Sequence, residues 1–300
     1  MIWLKYVQLW FFNEIRKLIP VISKTVLRMT FAALSSFVLV GCMTTNYGDE
    51  KFHLKMASHG KDVMWVPTKV EMAHEMLAIA KVVPGDIVYD LGSGDGVIPI
   101  EAAKKYKVRA VGIEYNRDLV ELSKRNAERA KVVDLVELKQ GDIFVEDFSK
   151  ATVLTLYLGN NLNLKLMPKI LKMKPGTRVV SNTFTMESWV ADQQVKISNG
   201  EVAYLWVVPA NIDGAWRFTG LPGVETVHLQ VVQKKQFFDG TLEQGNRRPV
   251  TFEDGRIRGN QVEFEFMHKA KKFTFKGELK GSEIIGFINN DPSLRVVARR

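Results

Sequence analysis

The sequence predicts an α/β domain built on a mostly parallel sheet, followed by a small domain of antiparallel strands. Between residues 87 and 181, short apolar runs of strand length alternate with longer segments whose apolar residues recur at helical spacing. This is the pattern of β–α–β units. After Pro209, glycines separate short runs in which apolar and polar residues alternate, and no helical period is present. The second pattern predicts a β-sandwich or a β-barrel.

The first predicted element of the α/β domain is a helix that begins after Thr68. Thr68 and Glu71 have the spacing of a capping box, and apolar residues then recur at helical period up to the break at Pro84-Gly85. The predicted strands that follow are 87–91, 110–114, 135–139, 152–158 and 178–181, and the predicted helices between them are 98–106, 117–131 and 161–173.

The α/β domain is expected to end in a hairpin. The runs 194–197 and 202–208 are joined through Asn199-Gly200, a dipeptide that favours the tight turns of β-hairpins. We therefore expect an antiparallel pair of strands at one edge of the parallel sheet.

The N-terminal 42 residues have the features of a signal peptide or a membrane anchor. The apolar run 29–41 has the length of a signal-peptide core. Leu39-Val40-Gly41-Cys42 resembles the lipobox of bacterial lipoproteins, in which the cysteine becomes the lipidated N-terminus, and Cys42 is the only cysteine. The alternative is an uncleaved amphipathic anchor in residues 1–22, which would leave the protein on the cytoplasmic face of the inner membrane.

These patterns predict four segments along the chain. They are a signal peptide or anchor (1–42), a tether (43–60), an α/β domain (61–210) and an antiparallel β-module (211–300).

Charge and metal-binding residue types limit the possible partners. The net charge is +9, but basic residues are interleaved with acidic ones throughout the chain, which favours a solvated surface over a nucleic-acid site. The five histidines lie far apart and a second cysteine is missing, so spacing predicts no metal site. We expect neither nucleic acid nor a metal ion.

A glycine-rich loop follows the first predicted strand of the sheet. The run 90–96 has the sequence DLGSGDG and leads into a predicted helix, an arrangement that lets a nucleotide-like ligand approach the backbone. A dinucleotide fingerprint would require a small residue where Val97 stands. NAD is therefore disfavoured.

The form D-x-G-x-G-x-G resembles motif I of class I S-adenosylmethionine-dependent methyltransferases. Asp90 suits the ammonium group of that cofactor. Glu114 ends the second predicted strand, where a carboxylate can accept hydrogen bonds from both ribose hydroxyls. Asp142 follows the third strand, where the resemblance implies contact with the adenine amino group. The residues expected to contact S-adenosylmethionine are Asp90, Gly92, Ser93, Gly94, Gly96, Glu114 and Asp142.

A narrower resemblance covers about half of the chain. The stretch Trp65-Val66-Pro67-Thr68, the DLGSGDG loop and the run 178–181 with Phe184 and Trp189 resemble the family that contains the mitochondrial ATP synthase c-subunit lysine methyltransferase and its bacterial relatives. The resemblance implies that residues 65–68 border the active site. The sequence departs from the family at Val97, where relatives usually carry Arg.

The methyl acceptor is expected beside the end of the fourth predicted strand. Methyl transfer from a sulfonium is an in-line displacement, so the enzyme mainly supplies alignment and desolvation. Tyr157 lies at the end of this strand and Asn160 just after it; with Trp65, they are candidates for an aromatic and amide-lined channel for a lysine amine. Thr68 is a fourth candidate. The alternatives are that Tyr157 packs in the core and that Thr68 only caps its helix.

Two functions are compatible with these features. The first is an S-adenosylmethionine-dependent N-methyltransferase that is held at a membrane and acts on a protein lysine or on a small-molecule acceptor. The second is an exported lipoprotein in which the same fold serves as a binding or scaffolding module. The second follows from Cys42, because the cofactor is not normally supplied outside the cytoplasm.

Overall fold

A computed structural model describes residues 47–54, 61–197, 200–221, 226–245, 248–268 and 270–300. The predicted signal peptide, Cys42 and most of the predicted tether (43–60) lie outside these residues. The tether prediction is wrong for residues 47–54, which form two short paired strands, and Arg125 Nε donates to Asp49 Oδ2 at 2.5 Å. None of the helices in the described part of the chain is long and apolar enough to cross a membrane.

The α/β part is a seven-stranded sheet with the order β5-β4-β3-β6-β7-β9-β8. Its strands are β3 (Ile87–Leu91), β4 (Arg109–Glu114), β5 (Val136–Gln140), β6 (Val153–Leu156), β7 (Arg178–Asn182), β8 (Gln193–Lys196) and β9 (Val202–Val207). Strands β3 to β7 pair in parallel, while β9 pairs antiparallel with β7 and with β8. The predicted sheet and its antiparallel edge hairpin are therefore confirmed.

Within the described residues, four helices accompany the sheet and two short strands precede it. The helices are α1 (Val70–Ile79), α2 (Val97–Tyr106), α3 (Arg117–Arg129) and α4 (Asn160–Ile170), and the short strands are β1 (Tyr47–Asp49) and β2 (Phe52–Leu54). One apolar cluster packs around α1 and α2, and another includes Trp189, Trp206 and the buried face of α4. The central strands are buried as a parallel sheet requires.

The crevice of the sheet lies where the strand order reverses. Strand β3 has β4 on one side and β6 on the other, so the connections on its two sides run in opposite directions. In open α/β sheets such a reversal opens a crevice at the carboxyl ends of the strands, and ligands bind there.

The predicted capping box at Thr68 is wrong. Helix α1 begins at Val70, and its N-cap is Lys69, which has an extended backbone and makes no capping hydrogen bond with its side chain. The first backbone bond of the helix joins the Ala73 N–H to the Lys69 carbonyl. Thr68 therefore lies one residue too early to cap the helix, and it borders the crevice instead.

The C-terminal part is a closed antiparallel barrel of eight strands, which decides between the two predicted β architectures. The strands are β10 (Gly214–Thr219), β11 (Thr226–Lys234), β12 (Phe237–Glu243), β13 (Val250–Arg258), β14 (Gln261–His268), β15 (Lys271–Lys280), β16 (Glu283–Ile288) and β17 (Arg295–Arg299). Strand β17 pairs back onto β10 and closes the barrel.

Aromatic rings fill the interior of the barrel. Phe264 lies at the centre, 4.4 Å from the Phe252 ring and 5.1 Å from the Phe275 ring, centroid to centroid. Glycines make room for the rings, because a Cβ atom at Gly255 would lie 2.6 Å from the Phe238 ring. The barrel interior is thus a packed core, as expected for a barrel of this size.

Polar contacts join the barrel to the sheet. The Asp192 side chain is fully buried, accepts from Arg256 Nη2 of β13 at 2.9 Å, and accepts from the Val207 N–H at 2.8 Å. Gln236 Nε2 donates to the Val190 carbonyl at 2.6 Å. Because buried polar groups are costly to leave unpaired, these bonds fix the barrel on the segment between β7 and β8.

Candidate active site

The crevice contains a cleft that encloses about 910 Å³, part of it open to solvent. It lies at the carboxyl ends of β3, β4, β5 and β6 and is bordered on the other side by residues 61–68. Of the predicted site residues, those that line it are Trp65, Thr68, Asp90, Gly92, Ser93, Gly94, Glu114, Asp142 and Tyr157. The tertiary structure therefore brings together residues from five separate places in the sequence.

The glycine loop between β3 and α2 forms the floor of the cleft. Gly92, Gly94 and Gly96 all have positive φ, from 53° to 83°, a region that side chains other than glycine rarely enter. A Cβ atom at Gly92 would lie 2.6 Å from the Leu158 side chain, and one at Gly94 would collide with the Trp65 ring. The loop thus needs glycine both for its backbone conformation and for close packing.

Glu114 connects this loop to the end of β4. Its Oε2 accepts from the Gly94 N–H at 2.9 Å, and its Oε1 accepts from the Asn116 N–H at 2.8 Å. The side chain is almost entirely buried. Each oxygen keeps one lone pair for a further donor, so the carboxylate is held rigidly while it remains able to accept two hydroxyl groups.

Asp90 lies at the bottom of the cleft and is buried. Thr155 Oγ1 of β6 donates to its Oδ1 at 2.6 Å. Burial raises the pKa of Asp90 to about 7, and the nearby Glu114 carboxylate adds to the rise. Burial also raises the pKa of Asp95 to about 6. A cation beside these carboxylates would favour their ionised forms.

Asp142 lies after β5 and forms an ion pair that the sequence did not predict. Lys61 Nζ donates to Asp142 Oδ2 at 2.6 Å, and the Phe144 N–H donates to Oδ1 at 2.9 Å. The ion pair with Lys61 holds the pKa of Asp142 below its usual value. Lys61 Nζ also lies 5.3 Å from the centre of the Tyr115 ring.

Two predicted site residues do not line this cleft. Gly96 is the N-cap of α2, and a Cβ atom there would lie 2.9 Å from Cβ of Ser123, so it serves the packing of the loop. Asn160 lines a neighbouring cleft, and its Oδ1 accepts from the Thr185 N–H at 2.9 Å. Its amide therefore supports a loop.

The cleft also contains residues that the sequence analysis did not select. These are Lys61, Asp62, Asp95, Tyr115, Asn116 and Leu158 among others. Asn116 carries a recognisable signal, because it follows β4 and its Oδ1 accepts from the Asp118 and Leu119 N–H groups as the N-cap of α3. Asp95 lies within the DLGSGDG loop, while Lys61, Asp62, Tyr115 and Leu158 have no local pattern that marks them.

The polar side chains that line the cleft fit S-adenosylmethionine. Its carboxylates lie at the ends of β3 and β4 and after β5, which suits an ammonium group, a ribose and an adenine amino group. Ser93 Oγ is buried and has no hydrogen-bond partner among the described residues, although it borders the cleft. A buried hydroxyl without a partner is costly, and a polar ligand in the cleft would supply one.

Known proteins with similar sequences are methyltransferases. The model of the ANTKMT methyltransferase domain matches residues 90–193. A protein-lysine N-methyltransferase of Saccharolobus islandicus is 42% identical over 156 residues, which cover 50% of this chain and 97% of that protein. The mouse lysine N-methyltransferase of the ATP synthase c-subunit is 27% identical over 166 residues, 55% of this chain and 66% of that protein.

A solved structure with a similar sequence is an RNA methyltransferase from Salinibacter ruber in complex with S-adenosyl-L-homocysteine. Its sequence identity is 47%, the match covers 49% of this chain and 96% of that chain, and the TM-score is 0.48.

Nearly the whole length of the Saccharolobus protein aligns with half of this chain. The sheet order and the glycine loop described above are those expected for such an enzyme. We conclude that this chain belongs to the protein-lysine N-methyltransferase family and is an S-adenosylmethionine-dependent methyltransferase.

Proposed function

We propose that this protein methylates the side-chain amine of lysine in a protein substrate. The observation that carries the proposal is the convergence of Asp90, Glu114 and Asp142 on one cleft whose rim includes Tyr157. Support for lysine as the acceptor comes from the Saccharolobus and mouse relatives, which are both lysine methyltransferases.

Each carboxylate has a separate task in this proposal. Asp90, buried and bonded to Thr155, binds the ammonium group of the cofactor. Glu114, held by two backbone N–H groups, accepts from the ribose hydroxyls, and Asp142 accepts from the adenine amino group. Bound S-adenosylmethionine supplies a methyl group on a positively charged sulfur.

The acceptor side of the cleft supplies an apolar environment. Burial raises the pKa of Tyr157 above its usual value, so its hydroxyl stays neutral. An amine that enters a partly apolar site loses a proton more easily, because burial disfavours the charged form. Desolvation beside Tyr157 and Leu158 therefore favours the neutral amine that methyl transfer requires.

The proposed function is tested by identifying the labelled product. Purified residues 44–300 are incubated with an extract of the source organism and S-adenosylmethionine that carries a radioactive methyl group, and the product is digested separately with protease and with ribonuclease. We expect protease-sensitive label and methyl-lysine by mass spectrometry. Label that only ribonuclease releases would contradict the proposal, and a Glu114→Ala variant provides the inactive control.

We also propose that Cys42 is lipidated and anchors the protein to a membrane, with residues 43–46 linking it to β1. The support is the lipobox-like sequence 39–42 after an apolar run, and residues 61–210 and 211–300 would then form the two folded parts. A lipoprotein cysteine carries several acyl chains, which hold a protein stably without a spanning helix. Mass spectrometry of membrane fractions should recover acylated Cys42, and unmodified Cys42 would favour an uncleaved anchor facing the cytoplasm.

A further inference from the structure

A second cleft adjoins the cofactor cleft. It lies between the start of α4 and the segment after β7, and it encloses about 680 Å³ that is largely open to solvent. Asp62, Leu158 and Leu162 line both clefts. The second cleft is therefore a side branch that opens onto the cofactor site.

The charged side chains that line this branch are all acidic among the described residues. Its charged lining residues are Asp62 and Glu187, and no basic side chain among the residues that the structure describes lines it. Both carboxylates are exposed, and within the described part of the chain neither forms an ion pair. Such a lining attracts a cation, and it repels the phosphates of a nucleic acid.

An aromatic wall stands beside the carboxylates. The Phe184 ring lines the branch and stacks on the Tyr157 ring, with centroids 5.8 Å apart and planes at 28°. Tyr157 itself faces the cofactor cleft. Aromatic faces attract ammonium groups, and their apolar surface excludes water from an amine that moves past them.

Two asparagines of α4 hold this wall in place. Asn160 Oδ1 accepts from the Thr185 N–H, and Asn163 Nδ2 donates to the Phe184 carbonyl at 3.3 Å and to Ser181 Oγ at 3.1 Å. Asn163 is fully buried. The loop that carries Phe184 and Glu187 is thereby fixed to the same helix that borders both clefts.

We propose that this branch is the acceptor site and that Asp62 and Glu187 recognise the incoming lysine as a cation. The inference rests on the proposed function and names its substrate site. The ammonium group is attracted by the two carboxylates and loses a proton to water beside Tyr157 and Phe184. The nitrogen lone pair then forms the new bond to the methyl carbon as the carbon–sulfur bond breaks and its electrons stay on sulfur, which becomes a neutral thioether.

The test uses analogues of the cofactor that need no identified protein substrate. In both analogues a nitrogen atom replaces the sulfur of S-adenosylmethionine. In place of the methyl group, one analogue carries a 2-aminoethyl arm on this nitrogen, and the other carries an uncharged propyl arm of similar size. Calorimetry gives their affinities, and that of S-adenosylhomocysteine, for the wild type and for Asp62→Asn, Glu187→Gln and Glu253→Gln. Glu253 is an exposed carboxylate on the barrel and serves as the matched control.

We expect the wild type to bind the aminoethyl analogue more tightly than the propyl analogue. Asp62→Asn and Glu187→Gln should each reduce this preference about two- to fivefold, the size expected for an exposed charge pair, while Glu253→Gln leaves it unchanged. Affinity for S-adenosylhomocysteine should be the same in the wild type, Glu187→Gln and Glu253→Gln. Because Asp62 also borders the cofactor cleft, the preference of Asp62→Asn is taken as the ratio of its own two analogue affinities.

The inference would be overturned if Asp62→Asn and Glu187→Gln both still preferred the aminoethyl analogue as strongly as the wild type does. If those proteins also bound S-adenosylhomocysteine, the proposed function would stand. Failure of the wild type to bind S-adenosylhomocysteine would overturn the proposed function and the inference together.

Discussion

Lys61 and Asp142 form an ion pair of 2.6 Å at one border of the cleft. The two residues are 81 positions apart, and Lys61 begins the segment that also contains Trp65. The pair therefore ties the border of the cleft to the carboxylate expected to bind the adenine amino group.

Replacing Lys61 with Met should weaken the binding of S-adenosylhomocysteine by about two- to fivefold at low salt, because the ion pair closes the segment over the cleft and both side chains are partly exposed. Calorimetry at low and at high NaCl concentration checks this prediction. The difference from the wild type should shrink at high salt, since exposed pairs are screened. Tighter binding by the variant would indicate that Lys61 competes with the cofactor.

Glu114→Ala should weaken cofactor binding at least tenfold and reduce the free energy of unfolding by about 1–3 kcal/mol, because the Gly94 and Asn116 N–H groups lose their acceptor. Urea unfolding and calorimetry measure the two effects. Glu121→Ala, at an exposed position on α3, is the control and should change neither. Full affinity in Glu114→Ala would contradict the ribose-binding role.

The affinity for the cofactor should fall as the pH falls below 7. The pKa of Asp90 is raised to about 7, and in the role proposed for Asp90 only the ionised form pairs with the cofactor ammonium group. For one such group the affinity drops about tenfold between pH 8 and pH 6. Calorimetry over this range measures the drop, which Asp90→Asn should abolish along with most of the affinity.

The same raised pKa has an opposite consequence for the empty protein. Protonated Asp90 stabilises the fold, and this contribution is fully present below the ordinary pKa of 3.8 and is lost as the pH rises through about 7. Wild type and Asp90→Asn should therefore differ more in urea stability at pH 8 than at pH 6 when no cofactor is present.

Thr68→Ala should leave the free energy of unfolding within about 0.5 kcal/mol of the wild type, because Thr68 does not cap α1. Methyl transfer should nevertheless slow, since Thr68 lines the cleft. Urea unfolding and initial rates with the labelled cofactor check the two effects, and Thr68→Ser, which keeps the hydroxyl, should be near wild type. If Thr68→Ala lost stability to the same extent as activity, Thr68 would have a structural role instead.

Phe264→Ala should destabilise the barrel by about 3–5 kcal/mol, because it leaves a cavity among buried rings. Phe287, which is 38% exposed, supplies the control, and Phe287→Ala should cost far less. Thermal and urea unfolding give the difference. Equal costs for the two substitutions would contradict a packed barrel interior.

Local patterns in the sequence predicted the parts of the site that depend on the backbone. The alternation of strands and helices implies a parallel sheet, and the carboxyl ends of parallel strands meet at one edge. Asp90, Glu114 and Asp142 each follow or end a strand, so their convergence was predictable. The glycines of the loop were equally visible, because positive φ requires that residue type.

Other features depend on contacts between distant residues and have no local signal. Whether the C-terminal strands form a sandwich or a barrel is decided by the pairing of β17 with β10. The hydrogen bond between Lys61 and Asp142 and the one between Asn160 and Thr185 depend on how the chain packs. The helix start at Val70 also escaped prediction, because helix ends shift by a residue or two with their surroundings.

The sequence by itself therefore determined the sheet, the glycine loop and the meeting of Asp90, Glu114 and Asp142 in one cleft, because backbone geometry and strand direction place them. Only the tertiary structure decided the closure of the barrel, the ion pair between Lys61 and Asp142 and the branch lined by Asp62 and Glu187. These features arise from side chains that meet across the fold, and such meetings depend on the packing of the whole chain.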